Sequence, residues 1–368
     1  MGKNYDFNSI INQFKFEGRM CAYDSHLCGH INDTFIVEFE CEEGKKSKYV
    51  MQRINTNIFT EPEKVMENIE NVTMHIKKKL ESENGDSERG VLELIRTTDG
   101  NSFYKDSADN YFRAFKFING AKTYQKVENP KHMYECGTAL GRFQKQLSDF
   151  PVDKLHETIK DFHNTKQRYE TFLRALKDDK ECRSQNIRNE IDFLISRCEE
   201  MSKLVNMIDD GLLPIRVTHN DTKFNNIMID NITEKAVAVI DLDTVMPGLA
   251  LYDFGDSIRS GATTALEDEK DLSKVNFDFE IFENYTKGYL EEFKDNLTKL
   301  EIENLAFSAK LITMECGMRF LTDYLNGDVY FKIQREGHNL DRARNQFKLV
   351  CDMENNMDKM RDIVNKYC

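Results

Sequence analysis

Asp221, Asn226 and Asp241 are the residues of this chain whose types and spacing most plainly suit a reaction. Asp221 lies in a polar run, His219-Asn220-Asp221-Thr222-Lys223-Phe224-Asn225-Asn226, with the apolar run Ile215-Arg216-Val217 before it and Ile227-Met228-Ile229 after it. Asp230-Asn231 and Lys235 then bracket a turn, and Ala236-Val237-Ala238-Val239-Ile240 ends on Asp241 and Asp243. Short β-branched runs bounded by Asn and Asp clusters are strand and hairpin signals. Such a frame brings the polar loop and the second acidic cluster to the ends of paired strands. There, phosphoryl transfer is the chemistry that fits. Asp221 can accept a proton from an attacking hydroxyl, while Asn226 and Asp241 offer the hard oxygen ligands that Mg²⁺ prefers, with Asp243 placed to help. Lys223 can neutralise the transferring group. Capping of turns is the bland use of the same residues, but turn chemistry does not call for this spacing.

The rest of the chain must supply a scaffold. Its 368 residues suffice for two lobes with a sizeable core. A formal net charge of −13 argues against a nucleic-acid partner, because phosphate backbones are held by a Lys/Arg surplus. Nine cysteines, with no C-x-x-C pair, point to reduced thiols rather than to disulfides or zinc. The first residues lack the apolar core of a signal peptide and no apolar run reaches a membrane span, so the expectation is a cytoplasmic protein.

Along the chain, residues 1–20 predict a short amphipathic helix around Ile10, Ile11, Phe14 and Phe16. A hairpin follows over residues 22–39, then a strand over 48–54. Thr60-Glu61-Pro62 introduces a helix, with Thr60 as its cap and Val65, Ile69, Val72, Ile76 and Leu80 at helical spacing. Strands are predicted over Val91–Thr97 and Tyr111–Ile118, the second ending at Asn119-Gly120. Beyond residue 129 the pattern is mainly helical, with helices over Met133–Leu147, Ile187–Ile208 (ended by Gly211), Glu283–Leu290, Leu300–Leu321 and from Asp341 onward.

His219-x-Asp221-x-x-x-x-Asn226, followed by Ile240-Asp241-x-Asp243, Gly248 and Asp253, resembles the aminoglycoside phosphotransferase/choline kinase family. Within it the chain is most similar to the N-acetylhexosamine 1-kinases, on His219–Lys223, on Gly29-His30-Ile31-Asn32-Asp33-Thr34 and on Arg319–Phe331. The resemblance implies an α+β, bilobal, protein-kinase-like fold: a small antiparallel-sheet lobe over residues 1–118 and a mainly helical catalytic lobe over 119–368. It implies ATP and Mg²⁺ as cofactors, a small-molecule sugar substrate, and neither nucleic acid nor membrane as a partner. Gly29, His30, Asn32 and Asp33 would then lie over the phosphates. Arg53 would replace the usual lysine, with Gln52 as the alternative if strand parity points it inward and with Glu63, Glu67 or Glu70 as its carboxylate partner. Phe115 and Phe117 would border adenine. His219 would brace the loop with Asp253, and Asp221, Arg319, Asp323, Asp328 and Tyr330 would hold the sugar. The implied activity is transfer from ATP to the anomeric hydroxyl of an N-acetylhexosamine. The alternatives are a kinase of the same family for an aminoglycoside, choline or amino-acid hydroxyl, and a ligand-binding pseudokinase.

Overall fold

The computed structural model describes residues 5–26, 31–41, 44–127 and 129–368. Gly29 and His30 lie outside them. The small lobe begins with a five-residue helix α1 (Phe7–Ile11), shorter than its apolar content predicts, because Phe14 instead forms an isolated bridge with Thr97. Strands β1 (Arg19–His26), β2 (Asp33–Glu40) and β3 (Lys46–Ile54) follow, then helix α2 (Pro62–Ser82) and strands β4 (Leu94–Ile95), β5 (Tyr104–Lys105) and β6 (Tyr111–Lys116). Every pair is antiparallel, in the order β1-β2-β3-β6-β4, with β5 also on β6.

Alternation along β3 divides its side chains between two faces. Tyr49 and Met51 pack outward with Ile10, Ile11, Phe14 and Phe112, whereas Ile54, on the opposite face, joins the main core together with Tyr111, Phe115 and the apolar stripe of α2. All five predicted stripe residues of α2 are buried. Its N-terminus differs from the expectation in one respect: Glu61, not Thr60, is the cap residue, and no side chain caps it. Pro62 needs no amide partner there, which reduces what a cap must satisfy.

After β6 the chain crosses to the large lobe, where β7 (Ala121–Lys122) pairs with β9 rather than with the small-lobe sheet. Helices α3 (Pro130–Gln146) and α4 (Thr165–Asp178) come next. The predicted helix over 187–208 is two, α5 (Arg188–Ile195) and α6 (Cys198–Asp209). At the break, Arg197 reaches the Phe193 carbonyl and the Glu354 carboxylate, so tertiary partners override a continuous periodicity. Strands β8 (Arg216–Thr218), β9 (Ile227–Asp230), β10 (Ala236–Val239) and β11 (Met246–Gly248) carry the polar loop and acidic turn, with β9 paired to β10 and β8 to β11. Helices α7 (Ala250–Gly261), α8 (Phe279–Phe293), α9 (Lys299–Leu325), α10 (His338–Asn355) and α11 (Met357–Tyr367) complete the lobe.

Helix α9 is buried on almost every face and is closed at its start by a capping box of Thr298 and Glu301, so it serves as the axis of the helical lobe. The whole is a mixed α/β, kinase-like fold. Among the described residues no helix is long and apolar enough to cross a membrane, and the cysteines are all free.

The tightest helix contact is α3 against α8, where glycines let the backbones meet. A Cβ at Gly137 would strike the Tyr285 carbonyl, and one at Gly288 the Tyr134 carbonyl. Gly288→Ala is expected to destabilise the protein by about 1–3 kcal/mol through overpacking against rigid backbone. Urea unfolding reads this directly; an unchanged midpoint would mean the two helices can move apart freely.

Candidate active site

The polar loop between β8 and β9 is held from beneath by one buried carboxylate. Asp253, in the first turn of α7 and without solvent exposure, accepts the backbone N–H groups of His219 (2.9 Å) and Asn220 (2.7 Å) and the amide of Gln144 from α3 (2.5 Å). Burial raises its pKa against the pull of His219 and those donors. The His219 ring faces elsewhere: Nε2 donates to the Ile240 carbonyl (2.9 Å), leaving Nδ1 to accept the Asp221 N–H (3.3 Å). One tautomer satisfies both bonds. Asp253 thus braces the backbone of His219, and the imidazole ties the loop to the acidic turn. Asn220 takes a left-handed conformation (φ 63°), which asparagine tolerates, and its amide donates to the Thr244 carbonyl (2.9 Å).

Asp221 emerges from this framework. Its Oδ1 meets the Lys223 ammonium at 2.8 Å, and its carbonyl accepts the Asn226 amide at 2.8 Å. Burial works to raise the Asp221 carboxyl, but Lys223, His219 and Arg259 together hold it below the usual carboxylate range. Asp221 raises Lys223 in return, against the opposing effect of burial. The base candidate is therefore an ionised carboxylate with a cation already beside it.

The Asn226 carbonyl accepts the Ile240 N–H (2.9 Å), which sets Asp241 next to Asn226 across the β9–β10 hairpin. Asp241 is itself left-handed (φ 61°). Although exposed as a residue, its carboxyl is pushed up to about 7 by burial first and then by the neighbouring charges of Asp243 and Asp221. Crowded like charge of this kind is relieved by a cation. Asn226 directs its amide nitrogen at Asp221, so its side-chain oxygen is the atom left for such an ion. Among the described residues no three His, Cys, Asp or Glu form a metal-ligating cluster. A carboxylate plus an amide oxygen suits Mg²⁺, which takes few protein ligands and completes its shell with phosphate oxygens and water. Asp243 differs from its expected part: one oxygen pairs with the Arg113 guanidinium and the other accepts the Asn32 amide at 2.5 Å. Its carboxylate is occupied by protein.

On the small-lobe side strand parity decides between the two cation candidates, and it overturns Arg53. Arg53 follows Tyr49 and Met51 onto the outer face, where Asp33 holds it at 2.6 Å and Tyr5 also reaches Asp33 at 2.7 Å. Asp33 is likewise turned to that face. Gln52 points inward, yet it is bound by Arg113 of β6 through Nε (3.0 Å) and Nη2 (2.8 Å). Glu63, Glu67 and Glu70 pair with Tyr111, His156 and Arg96, so none of them meets Arg53. Phe115 is a core residue beneath the Arg113 guanidinium, and the Phe117 amide donates to the Lys48 carbonyl.

Comparison with known proteins settles the affiliation. Residues 38–285 match the model of the phosphotransferase enzyme family. The chain belongs to that family. Among solved structures, an aminoglycoside phosphotransferase from Alicyclobacillus acidocaldarius shares the fold with a TM-score of 0.62 at 11% identity, over 100% of this chain and 98% of that one. A microcompartment-associated aminopropanol kinase gives 0.57 at 14% identity over 95% and 96%, and a spectinomycin phosphotransferase complexed with ADP and its antibiotic gives 0.56 at 12% over 92% and 94%.

The late segment of this phosphotransferase departs from its expected part in two residues. Asp323 accepts the N–H groups of Val329, Tyr330 and Phe331 and the Asn339 amide, at 2.9–3.0 Å. Asp328 accepts Arg183 (2.6 Å) and Asn339 (2.8 Å). Both carboxylates are filled by the chain itself and shape the loop instead of facing a ligand. That loop presents Tyr330 to solvent. Arg319 lies over the rings of Phe162 and Phe331 and 3.9 Å from Glu315.

Three groups escaped the motif reading. Arg113 is fully buried; a lone arginine inside Tyr111-Phe112-Arg113-Ala114-Phe115 was its signal. Asp256 accepts the Thr222 N–H (2.8 Å) and pairs with Arg259 (2.8 Å), which also binds Glu267 (3.0 Å). His163 donates to the Asn220 carbonyl (3.1 Å) and to Glu315 (3.2 Å); both partners only accept, so the imidazole is protonated. Burial disfavours that charge, but Glu315, Asp256 and the Asn220 carbonyl raise its pKa on balance. No spacing rule links residues 163, 220 and 315.

Asp253→Asn keeps the shape but turns one acceptor into a donor facing backbone N–H. It is expected to lower stability by about 1–3 kcal/mol and to depress turnover at saturating substrates. An unfolding midpoint and turnover both equal to wild type would remove Asp253 as the brace of the loop.

Proposed function

We propose that this phosphotransferase uses ATP to phosphorylate the anomeric hydroxyl of an N-acetylhexosamine, giving the sugar 1-phosphate. The observation that carries the acceptor class is the state of the carboxylates around the catalytic loop. Arg259 pairs with both Asp256 and Glu267, His163 and Arg319 flank Glu315, Arg183 pairs with Asp328, and Asp323 has its lone pairs filled by loop N–H groups and Asn339. A cationic acceptor such as choline or an aminoglycoside needs uncompensated carboxylates or an aromatic cage. Here it would meet guanidinium groups. A neutral polyol instead finds donors and acceptors, among them Arg319 and the exposed phenol of Tyr330.

In this reading ATP lies between the lobes with its γ-phosphate toward Asp221. The ionised Asp221 accepts a hydrogen bond from the sugar hydroxyl and so aims its oxygen at the γ-phosphorus. The new P–O bond forms as the bond to the β,γ-bridging oxygen breaks, ADP leaves, and the hydroxyl proton passes to Asp221. A carboxylate held below its usual pKa is a weak base, which fits a loose transition state in which the proton leaves late. Lys223 trades its Asp221 contact for the transferring group. Asn226 and Asp241 would hold Mg²⁺ through an amide oxygen and a carboxylate, and the ion would offset the charge of the phosphates. Regiochemistry comes from fixing the ring, because a sugar offers several similar hydroxyls. Asn32, with its amide nitrogen on Asp243 and its oxygen on the Asn55 N–H, shapes the end of the β1–β2 turn rather than meeting the phosphates.

Asp221→Asn is expected to cut turnover by roughly 10²–10⁴-fold with little change in ATP affinity. Near-normal turnover would take Asp221 out of the mechanism. Asp241→Ala is expected to abolish the Mg²⁺-dependent part of ATP binding in calorimetry; undiminished metal dependence would reject the ligand assignment. An ADP-release screen over free N-acetylglucosamine, N-acetylgalactosamine, choline and an aminoglycoside decides the acceptor. Activity on either cation with none on the sugars would refute the sugar reading and leave the family membership intact.

A further inference from the structure

Where the kinase resemblance expects a phosphate-binding cation on β3, the inward position is taken by Gln52, whose side-chain oxygen accepts Arg113 from the neighbouring strand. Gln52 and Arg113 are direct cross-strand partners. The Gln52 amide is anchored in turn by Thr34 (3.1 Å). With Nε and Nη2 on Gln52, the third guanidinium nitrogen, Nη1, reaches across the lobes to Asp243. The other Asp243 oxygen accepts Asn32, whose own carbonyl oxygen accepts the Asn55 N–H (3.0 Å). Arg113 is 1% exposed, its Nη1 also lies against the Met66 sulfur of α2 (3.9 Å), and Glu63, Glu67 and Glu70 of α2 pair elsewhere.

We propose that Asp243 is the pivot of an inter-lobe clasp, with Arg113 as a positioning residue and Asn32 as the second tie, so that the small-lobe sheet and the end of the β1–β2 turn orient Asp241 through Asp243. This rests on the assignment of Asp241 to the metal made above. A residue so enclosed does not meet phosphates. It acts through Asp243, two residues from Asp241, whose left-handed backbone has little freedom once Asp243 is fixed. The clasp also explains why α2 carries no carboxylate opposite the cation: the counter-charge comes from the catalytic lobe. Its consequence is coupling, since a shift of either lobe moves the metal-binding turn.

The test is a double-substitution cycle of Arg113→Met and Asp243→Asn, with Arg89→Gln as a control that cuts a different inter-lobe ion pair, to Asp230 (2.8 Å). Each protein is unfolded in urea and titrated with ADP in EDTA and in Mg²⁺. Each single substitution leaves a buried charge unpaired and is expected to lower the urea midpoint more than the pair together does. The double variant is expected to hold ADP in EDTA within about threefold of wild type, while the gain in affinity on adding Mg²⁺ shrinks by about tenfold or more, an estimate scaled to loss of support for a metal ligand. Arg89→Gln should leave that gain unchanged. A double variant with the full Mg²⁺ gain overturns the positioning role. Equal losses with and without metal overturn it in favour of direct phosphate binding. A wild-type protein with no Mg²⁺ gain refutes the metal reading instead, and the clasp is then decided by the urea cycle, where additive effects overturn it.

Discussion

The catalytic loop depends on a carboxylate that has no cation. Asp253 is entirely enclosed, yet it faces two backbone N–H groups and one side-chain amide. Its place in the first turn of α7 adds the favourable end of the helix dipole. A buried anion is tolerable only when its lone pairs are filled, so the positions of His219, Asn220 and Gln144 are fixed together. From there the order spreads. His219 reaches the Ile240 carbonyl, Asn220 reaches Thr244, and the Thr222 hydroxyl donates to the Asp253 carbonyl (2.7 Å). The loop, the acidic turn and α7 form one hydrogen-bonded unit before any substrate is considered.

Around this unit sits a ring of buried ion pairs: Arg113 with Asp243, Arg259 with Asp256, His163 with Glu315, and Arg216 with Glu301. Such pairs contribute little net stability, because desolvation offsets their attraction. What they supply is geometric: each demands its partner and penalises any arrangement that separates the two. Three of the four touch the polar loop or the acidic turn: Arg113 joins that unit to β6, His163 joins it to the end of the segment before α4 and to α9, and Arg259 steadies Asp256 within α7 itself. The active region is thus built from polar contacts with defined partners, while the two lobes around it rest on ordinary apolar cores.

Much of this was legible in the sequence because it is local. The β8–β11 frame, the stripe of α2 and the paired strands of the small lobe are written in period-2 and period-3.6 patterns over neighbouring residues. The break between α5 and α6 was not, because Arg197 is drawn to Glu354, more than a hundred positions away. Residue roles failed for the same reason. Arg53 and Gln52 differ by one place in a strand, and only the packing of Tyr49 and Met51 against α1 settles which faces inward. Asp323 and Asp328 looked available for a ligand because Arg183 and Asn339 lie outside the segment, and because the partners of Asp323 within it are backbone N–H groups that no side-chain pattern marks. A carboxylate's freedom is a property of the folded chain, not of its neighbours in sequence.

That distinction bears on how one fold can serve many acceptors. The matched structures keep the fold at 11–14% identity, so few individual contacts are required to preserve it. The loop, the acidic turn and their braces form a compact set near residues 219–256, whereas the groups on the acceptor side come from the segment before α4, from α7, from α9 and from the loop after α9. These last elements hold the loop both through its backbone, as His163 does at the Asn220 carbonyl and Asp256 at the Thr222 N–H, and through the charges paired behind those contacts. Replacing a guanidinium there would leave a carboxylate near Asp221 without its partner and make the local potential more negative. The potential beside the loop is therefore set by which buried carboxylates have internal partners, so that a small change in sequence has a large electrostatic effect.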